Sequence, residues 1–196
     1  MYRICFISLS LLFFSRTLYS QQWSTDEWDS ANTALSVEGI SQIEKDVILY
    51  VNLARMYPKK FVEVELKQYM GSVRHGQNLK NSKYRTSLIV HLNAMKPTTA
   101  LYFDSLMYAD AKCLALEQSS SGKTGHKRKK CKSHRMAECC SYGMNNGREI
   151  ALQLLIDEDV PSLGHRWICL DRAYSKIGVS YFLHKKYEYG AVLDYY

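Results

Sequence analysis

Residues 177–193, IGVSYFLHKKYEYGAVL, decide the fold. Ile177, Val179, Tyr181 and Leu183 recur at every second position. Tyr187, Tyr189, Ala191 and Leu193 do the same after the turn His184-Lys185-Lys186. Successive side chains of a strand point to opposite faces, so this period of two predicts two antiparallel strands at the end of the chain. Upstream the period is helical. Ile43, Val47, Val51 and Ala54 recur at helical intervals until Pro58. A short helix over Lys59 to Tyr69 follows, then a polar loop over 71–85 and a helix from Thr86 to Met95 closed by Pro97. Asp104 or Ser105 caps a longer helix with an apolar stripe of Leu106, Ala109, Cys113 and Leu116. Asn146 with Glu149 starts a helix over Gly147 to Ile156, and Pro161 opens a last helical turn around LGHRWICL. Helices first, with a sheet completed at the end over one core, predict an α+β fold.

The first twenty residues read as a secretory signal peptide. Arg3 precedes an apolar run from Ile4 to Phe14, and small Ser20 precedes Gln21. The run is too short to span a bilayer. The expected product is exported, to the extracellular space or a periplasm. Residues 21–40 are polar, carry Trp23 and Trp28, and read as an extension or docking arm ahead of a single domain over 41–196.

The chain carries a formal net charge of +7. The window Gln118 to Ala137 holds Lys123, Lys127, Arg128, Lys129, Lys130, Lys132 and Arg135 and no acid, so the basicity is local. Such a block reads as a solvated loop or as a landing site for an anionic polymer through Lys127, Arg128, Lys129, Lys130 and Lys132. No aromatic residue interleaves these charges, which argues against sequence-specific nucleic-acid binding. Downstream of residue 20 lie Cys113, Cys131, Cys139, Cys140 and Cys169. Export permits disulfides, and an odd count leaves at least one thiol unpaired within the chain. The short span from Cys131 predicts a bond to Cys139 or Cys140, with Cys113 buried and unpaired on its helix stripe and Cys169 competing for the remaining partner.

Five segments in order resemble the CAP superfamily (cysteine-rich secretory, antigen 5 and pathogenesis-related proteins), in its compact bacterial-type branch. VNLARMYPKKF (51–61) is similar to the family's opening helix with its Asn-x-x-Arg. LYFDSLMYADAKCLALEQ (101–118) is similar to its long helix, and GKTGH (122–126) to the Gly-His segment that follows. AECCSYG (137–143) resembles the Gly-Glu-Asn segment, with Ala137 and Cys139 departing from it, and LLIDEDVPSLGHR (154–166) resembles the Asp-x6-Gly-His-Arg. The resemblance implies a three-layer α-β-α sandwich (the CAP or SCP domain) and a cleft holding His126, Glu138, Asp157 and His165. Glu158 is the rival to Asp157, and Glu149 is better explained as a helix-start carboxylate.

Two imidazoles with two carboxylates suit a loosely held divalent metal such as zinc, with His126 and His165 as ligands. They suit equally a hydrogen-bonded scaffold around a binding cleft. The expected function is a secreted, monomeric binding module for a lipid, polysaccharide or protein. The alternatives are a metal-assisted peptidase or esterase using His126 and His165 with Glu138 as general base and Asp157 as the second cleft carboxylate, and a surface protein with a vestigial cleft. His134, His75, His91 and His184 read as solvent-facing or turn residues.

Overall fold

The computed structural model describes residues 22–196. The signal-peptide reading of 1–20 lies outside them. Among the described residues the chain forms seven α-helices and a mixed four-stranded sheet, an α+β fold. The helices are α1 (Thr25–Ala31), α2 (Gln42–Met56), α3 (Pro58–Phe61), α4 (Lys83–Ala94), α5 (Ser105–Ser121), α6 (Gly147–Ile156) and α7 (Gly164–Leu170). The strands are β1 (Tyr102–Phe103), β2 (Ala137–Tyr142), β3 (Lys176–His184) and β4 (Glu188–Tyr195). The order across the sheet is β1-β3-β4-β2, with β1 parallel to β3 and the other pairings antiparallel. No described helix is long and apolar enough to cross a membrane.

The alternation seen in the tail separates two apolar clusters. Ile177, Val179, Ala191, Leu193, Tyr195 and Cys139 join the main core with residues of α2, α6 and α7. Their neighbours Cys140 and Val192 pack instead with Ala111, Leu114 and Ala115 of α5. Adjacent strand residues face opposite ways, so helices cover both faces of the sheet. On the α5 side the approach is close: a Cβ on Gly178 would sit 2.0 Å from the Tyr108 amide nitrogen. Only glycine lets the helix backbone come so near the strand.

Three buried polar side chains fasten the helices. Asn52 donates to the carbonyls of Ala31 and Leu101 (3.0 Å each) and accepts from the Leu101 N–H (2.7 Å). Arg55, one turn on, donates to the carbonyls of Thr99, Cys169, Asp171 and Tyr174. Arg166 bonds the carbonyls of Leu155, Ile156 and Tyr84 and the Ser87 hydroxyl. Each satisfies carbonyls at helix ends and loops that burial would otherwise strand.

Several expectations are corrected. The polar arm at 21–40 contains α1, begun by a capping box in which Ser24 and Glu27 bond each other's backbone N–H. The buried face of α5 is Met107, Ala111, Leu114, Ala115 and Gln118, while Leu106 and Leu116 are exposed. Cys113 therefore does not lie on a buried stripe. It is bonded to Cys131, and Cys139, Cys140 and Cys169 are free and buried. Strand alternation explains the miss: Cys139 and Cys140 face the two covered sides of the sheet, leaving neither for the loop. His184 is buried rather than exposed. Its Nδ1 accepts the N–H groups of Lys186 and Tyr187, closing the hairpin turn.

Asn52→Ala should lower stability by about 2 kcal/mol, because it leaves the buried Leu101 N–H without a partner, while Thr33 still bonds the carbonyls of Ala31 and Leu101. Urea unfolding followed by circular dichroism checks this, and a loss below about 1 kcal/mol contradicts it. Mapping of non-reduced peptides should recover the Cys113–Cys131 pair. Closing that loop contributes about 3 kcal/mol on the chain-entropy account.

A candidate histidine–carboxylate site at the sheet edge

β2 is an edge strand, and the four expected residues meet around it. Glu138 and Cys140 project to the α5 side, where His126 lies beside them: its Nδ1 is 2.9 Å from Glu138 Oε1 and 3.9 Å from Cys140 Sγ. α7 packs against β2 from the other side, and the Cys139 thiol on that side contacts the His165 carbonyl. The two imidazole centroids are 6.5 Å apart.

Each histidine has a carboxylate on Nδ1. Asp157 ends α6 in a left-handed conformation, with φ 56°, which turns its side chain to α7. Its Oδ1 sits 2.7 Å from His165 Nδ1, and its Oδ2 accepts the His165 N–H at 3.0 Å. Leu163 offers α7 no side-chain cap, so Asp157 serves as one from the preceding helix. The rivals are engaged elsewhere: Glu158 accepts from Ser82, while Glu149 bonds Ser72 and Asn146 at the start of α6. At His165 the carboxylate on Nδ1 favours the Nδ1–H tautomer and leaves Nε2 as the lone-pair nitrogen.

Glu138 stands opposite Asp194 across the β2–β4 pairing, and both side chains are almost wholly buried. Arg128 reaches back from the basic loop to both carboxylates, 2.7 Å from Asp194 Oδ2, while Arg135 adds a contact to each. Burial opposes ionisation of Glu138. The hydrogen bonds from His126 and Asp194, with the charges of Arg128 and Arg135, outweigh it, and its pKa is lowered. Asp194 goes the other way, pushed up to about 8 by burial and by the neighbouring Glu138 charge. Contact with the Cys140 sulfur and the bond to Glu138 push His126 up to about 10.

Cys140 was not among the expected site residues. His126, Glu138 and Cys140 offer ligand atoms within 4.8 Å of one another, a group able to hold a metal ion. The only sequence signal for it is the period of two, which puts Cys140 on the face of Glu138. A cavity of about 330 Å³ opens beside His165, Asp157 and Cys140, walled by Tyr69, Leu79 and Tyr187. His126 borders a shallower depression with Arg135 and Glu138, so the enclosed space belongs to the His165 side.

The basic loop also departs from expectation. Arg128 is buried in an ion cluster and unavailable to an anionic polymer. His134 is half-exposed, and its backbone N–H is held by Asp110. His75, expected at the surface or in a turn, ends a short 3₁₀ helix (Val73–His75) and donates Nε2–H to the Gly143 carbonyl at 2.8 Å. His91 packs on Trp167.

Asp194 has a folded pKa above its ordinary value, so folding takes up a proton there. The resulting stability is complete below about pH 4 and lost as pH rises towards about 8. Asp194→Asn mimics the protonated form. It should match the parent near pH 5 and exceed it in stability at pH 8, measured by urea melts. Destabilisation of similar size at both pH values contradicts this. Scans against family models, curated proteins and solved structures returned no match to this chain.

Proposed function

We propose that this chain is an exported CAP-type domain, a sandwich of helices around its sheet, that works as a binding module with a metal-responsive cleft. The observation that carries this is the pair of carboxylate–imidazole couples, Glu138–His126 and Asp157–His165, with rings 6.5 Å apart. Oriented imidazoles held by carboxylates are the arrangement that tunes histidine for zinc. Two imidazoles on one tetrahedral ion have centroids roughly 5 Å apart given metal–nitrogen bonds of about 2 Å, so the rings would close by about 1 Å on binding. His126 and His165 would hold the ion, His126 giving up its ring proton as the ion binds, with Cys140 as a softer third donor. The ion would draw an electron-rich ligand group to the mouth of the cavity lined by Tyr69, Leu79 and Tyr187.

Binding is favoured over hydrolysis by the state of the acids. Glu138 is almost wholly buried, engaged by His126, Arg128 and Arg135, and lowered in pKa, which makes it a poor general base. Ser141 is buried and donates to Gln153 at 2.5 Å, so it supplies no free nucleophile.

Zinc titration by calorimetry tests the reading. The parent should bind one ion, and His126→Ala and His165→Ala should each weaken it at least tenfold. Asp157→Asn should weaken it by about ten- to a hundredfold, as loss of an orienting partner does. Zinc binding unchanged in both alanine variants overturns the metal site. Turnover on peptide or ester panels that both variants abolish would favour the hydrolase instead.

A further inference from the structure

The basic segment does not lie loose. The Cys113–Cys131 bond ties it to α5. Glu117 of α5 accepts the backbone N–H groups of Lys129 (2.8 Å), Lys130 (2.7 Å) and Cys131 (3.2 Å). These amide bonds hold the Glu117 carboxyl below its usual range. Arg128 anchors the same segment to the sheet. The two arginines and the one nearby acid are thus committed to holding the loop. Among the described residues, no ion pair involves Lys123, Lys127, Lys129 or Lys130. These four lysines instead surround a cavity of about 260 Å³ at the C-terminal end of α5, together with Ser121, Thr124 and the Glu117 carboxylate that holds the loop amides.

We propose that this lysine-walled cavity is a binding site for the sulfate groups of an anionic polysaccharide, separate from the histidine cleft and independent of its function. Four lysines against the single carboxylate of Glu117 leave an excess of positive charge on a fixed frame, which an anion relieves. The ligand class follows from what the walls lack. No aromatic ring lines the cavity, so nucleobases have nothing to stack on. No large apolar side chain lines it either, so an acyl chain gains nothing there. Lysine ammoniums and hydroxyls match sulfate and sugar hydroxyl groups. The disulfide and the Glu117 bonds set the cations in place beforehand, which lowers the ordering cost of binding.

Heparin serves as the sulfated probe, with affinity measured on the whole exported chain across a salt series. Lys127→Ser/Lys129→Ser/Lys130→Ser should weaken binding at least tenfold at physiological salt. It should also reduce the slope of log affinity against log salt by about two to three, as loss of three cation contacts requires. Lys59→Ser/Lys80→Ser/Lys96→Ser removes the same charge from exposed positions elsewhere and should change affinity less than twofold. Matched melting temperatures verify that both variants are folded. Equal weakening by the two triples overturns the site in favour of diffuse charge. Single-stranded DNA or phosphatidylserine vesicles binding as tightly as heparin at equal salt overturn the ligand class. Cys113→Ser/Cys131→Ser leaves the ammonium charges intact and should still weaken binding severalfold. Affinity equal to the parent's in that variant overturns the pinned frame.

Discussion

Two carboxylates face each other inside the sheet, and the surrounding structure is arranged to make that tolerable. Glu138 and Asp194 are direct cross-strand partners on a face covered by α5. Unrelieved, such a pair would combine the cost of desolvation with like-charge repulsion. Arg128 and Arg135 enter from the segment between α5 and β2, and Asp194 rises in pKa to share the remaining burden. Removing Arg128 from the cluster costs about 3–5 kcal/mol, because the buried carboxylate charge stays behind. The same contacts draw the basic segment over β2 and bring His126 to Glu138. The ion cluster therefore sets the position of the loop, the histidine and the lysines together.

The site joins two layers that sequence order keeps apart. His126 follows α5 on one side of the sheet, and His165 opens α7 on the other. They meet because, among the described residues, β2 has no strand beyond it. Asp157 does double duty on the second side, fixing an imidazole and ending the unsatisfied amides of α7.

Much of this was legible in the residues. The hairpin, α2 and α6 follow from periods of two and 3.6, and Asp157 rather than Glu158 or Glu149 meets His165. The failures share a cause in faces. The α5 stripe was read through Leu106 and Leu116, one position away from the buried Met107, Ala111 and Leu114. That helix carries large apolar residues nearly all round, so its pattern does not select a face. The error carried over to Cys113 and so to the disulfide. Arg128 was indistinguishable from its lysine neighbours because its acids, Glu138 and Asp194, lie 10 and 66 residues away. α1 was missed although Ser24 and Glu27 spell a capping box, since polar composition outweighed the local signal.

The edge position of β2 carries one more consequence. An open strand edge is a template for pairing with another chain, and proteins blunt such edges by covering them. Here the carbonyls at the end of β2 are already spoken for: Gln153 donates to Tyr142 and His75 to Gly143. Gln153 thus both walls the cleft and denies a second copy one of the carbonyls it would need for edge-to-edge growth. Loosening that wall would open the strand end to self-association.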